Sequence, residues 1–260
     1  MYCIDLNSDL GESFGAYKIG KDTEIIPLVS SVNLACGFHA GDPDVMAEAT
    51  ALCKAANKCV GAHPGFLDLQ GFGRRNMSLS AKEVKNLVLY QIGALYAFCK
   101  SRDIELKHVK PHGALYNMAA KDYSIAVAIC EAVREFDSSL VLLALSGSKM
   151  IEAAKNVGIP YASEVFADRA YEDDGSLVAR SKPGSMIENE DEAVSRVIKM
   201  IKEHKVTTVS GKEIEIYPDS VCVHGDSEKA LLFVKKITRA LCEEGIEIKP
   251  LEEVIRQREI

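Results

Sequence analysis

Five of the six histidines in this chain, His39, His63, His108, His112 and His224, fall on or just after a short apolar run of the kind that makes a buried strand. Four of them end such a run or follow it within three residues, whereas His204 sits in a helical E-H-K context and reads as solvated. One histidine beside an apolar run is most often a hydrogen-bonded core residue. Imidazoles repeated at the same end of several strands instead supply bases near neutral pH, or neutral nitrogens for a divalent metal. His108, inside L-K-H-V-K-P-H-G, reads as structural.

The acids are ordered in the same way. Asp5, Asn7 and Asp9 alternate, so a strand carried that far points all three inward. Glu12 follows Gly11 and can turn back to the same mouth. Asp68 lies in the loop after His63, and Asp226 closes V-H-G-D. Asp42 precedes Pro43 and reads as a helix N-cap. Asp5 reads equally well as a buried acid hydrogen-bonded to backbone. Carboxylates and imidazoles in one partly dry pocket suit metal-assisted or general acid/base hydrolysis. If a metal is present, His39, His63 and Asp9, or Glu12 in the place of Asp9, are its candidate ligands.

The cations have separate readings. Lys110 ends a buried strand, where an ammonium is costly unless paired, so it belongs beside the acids of the mouth. His112 follows it by two residues across Pro111, and alternation aims both into the mouth. Arg74 and Arg75 after G-F-G, and Arg169 after Asp168, offer planar forks for a substrate carboxylate or phosphate. For Arg74 and Arg75 a solvated loop reads nearly as well.

Strands must position these groups. The apolar runs are Cys3–Leu6, Val32–Cys36, Val60–His63, Leu106–Lys110, Leu140–Leu145, Ala162–Phe166 and Val221–His224. Helical patterns separate them at Pro43–Asn57, Ser80–Ser101, Asp122–Phe136, Ser148–Asn156, Glu190–His204 and Ser227–Glu243, with a cap-plus-proline start at Asp42-Pro43 and a capping box at Ser80. Strand–helix alternation implies a parallel sheet with right-handed crossovers. An open sheet gathers ligand groups from two or three strands at one switch point. Here every run except the fifth ends in charged or imidazole residues, which needs a ring of strand ends around one mouth. The expected fold is a seven-stranded (β/α) barrel in one domain over 1–260. Residues 167–187 form a candidate lid loop, and 206–217 an added β-hairpin around Ser-Gly-Lys.

Length and composition agree with that fold. The chain has 260 residues, is 47% hydrophobic and 27% charged, and carries a formal charge of −7. A net negative chain is a poor partner for nucleic acid or an anionic membrane, and no apolar run approaches the roughly 20 residues of a membrane helix. The opening MYCIDLNSDLGE has no basic region and does not read as a secretory signal. The eight cysteines lack a C-x-x-C pair and lie mostly in apolar runs. They read as buried reduced thiols of a cytoplasmic protein. The glycine runs match neither G-x-x-x-x-G-K-[ST] nor G-x-G-x-x-G, so no nucleotide cradle is visible.

The motifs D-L-N-S-D-L-G-E, S-V-N-L-A-C-G-F-H-A-G-D-P, G-A-H-P-G-F-x-D-x-x-G-F-G-R-R, K-P-H-G-A-L-Y-N, E-V-F-A-D-R-A-Y and V-C-V-H-G-D, in this order from Ile4 to about Pro250, resemble the LamB/YcsF family. The resemblance implies a barrel related to sugar and polysaccharide deacetylases. It also implies ATP-dependent opening of 5-oxoproline to L-glutamate, with two partner subunits and with Mg accompanying ATP. Phe66 stands where the family often has Tyr. Set on these motifs, the expected catalytic residues are Asp9, Glu12, His39, His63, Lys110, His112, His224 and Asp226. The expected substrate-binding residues are Asn7, Asn33, Arg74, Glu164, Asp168 and Arg169. Two other readings stay open: a stand-alone metal-dependent deacetylase or amidohydrolase, and a non-catalytic binding or regulatory subunit. Titratable groups this dense argue against the second, since binding pockets are mostly apolar.

Overall fold

The structure is a computed structural model and describes residues 2–223 and 228–258. The strands are β1 (Tyr2–Leu10), β2 (Ser31–Ala35), β3 (Cys59–His63), β4 (Leu106–Val109), β5 (Val141–Leu145), β6 (Tyr161–Phe166), β7 (Lys205–Thr207), β8 (Glu213–Glu215), β9 (Ser220–Cys222) and β10 (Ile246–Ile248). The helices are α1 (Asp22–Ile25), α2 (Pro43–Ala55), α3 (Ala81–Lys100), α4 (Gly113–Ala119), α5 (Tyr123–Phe136), α6 (Lys149–Val157), α7 (Glu190–Glu203), α8 (Glu228–Glu243) and α9 (Leu251–Arg258).

Seven strands close a parallel ring in the order β1-β2-β3-β4-β5-β6-β9, with β9 returning to β1. Parallel neighbours need crossovers, and the helices supply them. The strands of such a ring are buried on both faces, so they lose the period-two pattern. Accordingly SVNLA, CVGAH and VLLAL of β2, β3 and β5 are buried at every position. The crossover helices start where the sequence says they should. Asp42 accepts from the Val45 amide at 2.9 Å ahead of Pro43. Ser80 and Glu83 cap α3 reciprocally.

Five elements differ from the sequence expectation, the first being the short helix α1 after β1. β1 is longer than Cys3–Leu6, and its extra residues carry Asn7 and Asp9 on the inward face. β10 pairs in parallel with Tyr2–Ile4 of β1, outside the ring. The short helix α4 follows His112 directly. Helix α9 packs Leu251 and Ile255 against Val141, Leu143 and Ala162 at the starts of β5 and β6. β7 and β8 form the added antiparallel hairpin.

The barrel interior is polar at several levels, and one glycine shows how tightly it is filled. Gly61 of β3 pairs with His108 of β4, and a Cβ at position 61 would collide with the His108 ring at Nε2. The imidazole thus occupies the space a side chain on β3 would need.

Candidate active site

The C-terminal ends of the strands open into a cavity of about 680 Å³. That volume lies within the roughly 300–1,000 Å³ of small-molecule sites. Asp9 from β1, His63 from β3, Lys110, Pro111 and His112 after β4, and Phe166 from β6 all line it. Glu12 joins them because Gly11, at φ +67°, turns the chain after β1 in a way that glycine adopts without strain. The outer wall comes from Arg74, Tyr116, Lys121, Arg169 and the stretch 177–181.

Glu12 sits among three imidazoles. Its Oε1 is 3.2 Å from Nε2 of His39, 3.4 Å from Nδ1 of His112 and 4.0 Å from Nε2 of His63. The four ligating atoms all lie within 4.8 Å of one another, and all four residues are buried. Two of the rings are held by backbone carbonyls. His63 Nδ1 is 2.7 Å from the Lys110 carbonyl, and His112 Nε2 is 2.8 Å from that of Phe72. A carbonyl only accepts, so these nitrogens carry the protons. The His39 ring stacks flat on His112 at 3.7 Å, and its Nδ1 is buried without a partner. Burial pushes both His39 and His112 well below the usual histidine range, with neighbouring imidazoles adding to the effect.

Beneath this cluster lies a charged layer. The Lys110 ammonium is 2.7 Å from Oε1 of Glu164, 2.8 Å from Oδ1 of Asp9, 3.2 Å from Sγ of Cys222 and 3.3 Å from Oδ1 of Asn7. Burial pulls its pKa down, but Asp9, Cys222 and Glu164 around it outweigh burial and hold it well above the ordinary lysine value. Asn33 donates to Asn7 Oδ1 at 2.7 Å and to Asp9 Oδ1 at 2.8 Å, and its own Oδ1 is 2.6 Å from His108 Nε2. Tyr116 donates to Glu164 Oε2 at 2.7 Å. Deeper still, Asp5 accepts from Ser30 at 2.7 Å, from Ser31 at 2.6 Å and from Ser220. Burial raises its pKa to about 6 despite these bonds.

The structure therefore sorts the sequence candidates. Asp9, Glu12, His63, Lys110, His112 and Arg74 share the cavity wall, with His39 directly behind His112. Of the two carboxylates offered as metal ligands, Glu12 sits among the imidazoles. Asp9 lies to one side, 3.4 Å from His63 Nε2 and bonded to Lys110. Asn7, Asn33 and Glu164 do not border the cavity, because their polar atoms are consumed in the layer beneath it. Arg169 lines the cavity, but its guanidinium donates to the carbonyls of Val178 at 2.6 Å and Ser185 at 3.4 Å, tying its own loop together. Asp168 is half-buried, and its carbonyl accepts from the Ile187 amide at 2.8 Å. Asp68 is bonded to Arg75, whose guanidinium holds its pKa down at about 2. His224 and Asp226 lie outside the described residues. Tyr116 was not singled out from the sequence; it lies in K-P-H-G-A-L-Y-N, and only the helix that begins at Gly113 swings it back over Glu164.

Comparison with known proteins agrees with this architecture. The chain is 63% identical over 254 residues to the A subunit of 5-oxoprolinase from Clostridium beijerinckii, covering 98% of this chain and 100% of that one. It is 56% identical over 248 residues to the protein of the same name from Staphylococcus aureus, covering 95% and 99%. The crystal structure of the lactam utilization protein from Thermus thermophilus superposes with a TM-score of 0.89 at 48% identity, over 95% of this chain and 99% of that chain. The LamB/YcsF family model matches residues 4–256, from the first strand of the barrel through β10 and into α9, and the chain belongs to that family.

Proposed function

We propose that this chain is the lactam-handling component of a cytoplasmic 5-oxoprolinase, opening 5-oxoproline to L-glutamate together with two partner subunits that use ATP. The observation that carries the reading is 63% identity, over nearly the full length of both chains, to a protein named as the A subunit of 5-oxoprolinase. The site supports it chemically. Among the described residues no helix is long and apolar enough to cross a membrane. The cysteines are free thiols.

A five-membered lactam is a stable amide, so water attacks it only after its carbonyl is activated. No phosphate-loop motif is legible in the sequence, which fits transfer of the ATP phosphoryl group, with its Mg, by the partners. This chain then holds the activated ring. The cations of the rim, Arg74, Lys121 and Arg180, suit the substrate carboxylate. Glu12 and the unprotonated ring nitrogens of His63 and His112 accept a proton from water as its oxygen bonds to the carbonyl carbon. The C–N bond breaks as the proton passes to the departing nitrogen, and the γ-glutamyl phosphate so formed is hydrolysed by a second water to glutamate and inorganic phosphate. Lys110 acts in this scheme as a positioning residue, since its ammonium already serves Asp9 and Glu164. Segment 167–187, which supplies one wall of the cavity, is the proposed lid.

Mixing the chain with its partner subunits, ATP, Mg²⁺ and 5-oxoproline should yield glutamate, and omitting any one component should stop it. Glutamate formation that persists without this chain would overturn the reading. The cluster of Glu12 with three histidines favours a second reading, a metal-dependent amide hydrolase that needs neither ATP nor partners. Turnover by the isolated, metal-loaded chain would decide for it.

A further inference from the structure

His63 and His112 face each other with the wrong atoms for a hydrogen bond. Each ring gives its one proton to a backbone carbonyl, Lys110 for His63 and Phe72 for His112. In the neutral rings this leaves His63 Nε2 and His112 Nδ1 bare, and these two nitrogens are 3.0 Å apart. Oxygen Oε1 of Glu12, another acceptor, stands 3.4 Å from the second and 4.0 Å from the first. Three electron-pair donors thus converge on one point with no donor hydrogen among them.

We propose that Glu12, His63 and His112 form a binding site for a divalent transition-metal ion, with His39 positioning Glu12. The spacing suits such an ion. Bonds of about 2.0–2.1 Å in a tetrahedral arrangement separate the ligand atoms by roughly 3.4 Å, close to the separations found here. Two imidazoles and a carboxylate suit zinc, cobalt, iron or manganese better than magnesium, which prefers oxygen and water. The three ligands line the cavity and His39 does not, so a fourth position on the ion opens toward substrate. His39 has the place of an outer partner: stacked on His112, its Nε2 lies 3.2 Å from Glu12 Oε1. The carbonyls of Lys110 and Phe72 hold the other two rings in the same manner. With an ion bound, the lone pairs of Glu12, His63 and His112 would no longer take a proton directly, and the ion would instead lower the pKa of a water at its open position; binding of the ion does not depend on the proposed activity.

The test uses the isolated full-length chain, stripped with chelator and titrated with Co²⁺ and, separately, Zn²⁺. One equivalent should bind, with visible d–d bands for Co²⁺ and a raised Tm for both. In the Co²⁺ protein, the ring N–H resonances of His63 and His112 should show large paramagnetic shifts. Glu12→Gln and His112→Asn should weaken binding at least tenfold, and His39→Asn roughly 10–100-fold, the range for outer partners. The resonance experiment needs no variant and so survives any that misfold. Absence of stoichiometric binding by the wild-type chain, or binding that leaves those two resonances in place, overturns the site. Glutamate formation with the partners is scored separately, so loss of either result leaves the other standing.

Discussion

The Lys110 ammonium lies 2.7 Å from Oε1 of Glu164, and the two side chains are only 2% and 0% exposed. They come from β6 and the end of β4 and meet inside the ring. A buried ion pair is weak evidence of stability, but breaking one by removing a single partner is costly, at about 3–5 kcal/mol. Lys110→Met should therefore lower stability on that scale by stranding Glu164 and Asp9. The double variant Lys110→Met/Glu164→Gln should recover part of the loss. Denaturant unfolding of the two singles and the double measures the coupling, and additive losses would show that the pair is not a unit.

Lys110 also shows what the sequence can and cannot convey. Its burial and its company were legible, because a lysine at the end of an apolar run must have partners. Which partners it has depends on closure of the ring, and no local pattern brings Glu164 beneath it. The strands themselves were legible because burial on both faces makes continuous apolar runs. β10 was not, since Ile246–Ile248 is too short to show a period. Alternation put Asp9 inside and Gly11 made Glu12 able to turn back, but nothing local says which carboxylate reaches the imidazoles. That choice is made by Lys110 and Asn33, which occupy Asp9 and leave Glu12 to the rings.

Asp5 predicts a pH dependence. Its pKa is raised from an ordinary 3.8 to about 6, so the fold binds its proton more tightly than the unfolded chain does. The stability this adds is fully present below pH 3.8 and is lost as pH rises through about 6. At roughly 1.4 kcal/mol per unit, the window holds about 3 kcal/mol. Asp5→Asn keeps a neutral group there at every pH. Its stability relative to wild type should rise between pH 4 and 6 by about that amount, as followed by urea unfolding. A flat difference would contradict the assignment.

The His108 imidazole acts with the opposite sign. Burial, with help from the Lys110 charge, lowers its pKa from 6.5 to about 3. Its contribution is complete above pH 6.5 and is lost as pH falls toward 3. Replacing it with Gln should flatten the acid limb of the stability profile by about 1.4 kcal/mol per unit just below pH 6.5. An unchanged acid limb would show that His108 takes up its proton in the folded protein at the same pH as in the unfolded chain.

Gly61 and His108 should be coupled sterically. Gly61→Ala would drive its Cβ into the His108 ring, a contact no rotamer change at position 61 can relieve. Overpacking of this kind costs typically about 1–3 kcal/mol or more. Gly61→Ala should lower Tm, and His108→Ser in the same chain should restore part of it by vacating the space. Equal Tm values for Gly61→Ala and wild type would mean that β3 and β4 separate freely.

Two arginines with the same expectation from sequence should part company in kinetics. Arg74 stands on the exposed rim of the cavity with its guanidinium 4.9 Å from the centre of the Phe72 ring, whereas Arg169 is buried and bonded to Val178 and Ser185 of its own loop. If the rim receives the carboxylate of 5-oxoproline, Arg74→Ala removes binding that substrate and transition state share. KM should then rise roughly tenfold or more while kcat and Tm stay close to wild type. Arg169→Ala instead leaves the Val178 carbonyl without its donor and frees segment 167–187. It should lower Tm and open that segment to proteolysis, and kcat should fall with KM if the segment closes over substrate. Arg169→Lys should rescue little, because a single ammonium cannot span both carbonyls as the guanidinium does. The decisive comparison is KM in the Arg74→Ala enzyme assembled with its partners: an unchanged value removes Arg74 from substrate binding and moves the carboxylate to Lys121 or Arg180 on the same rim.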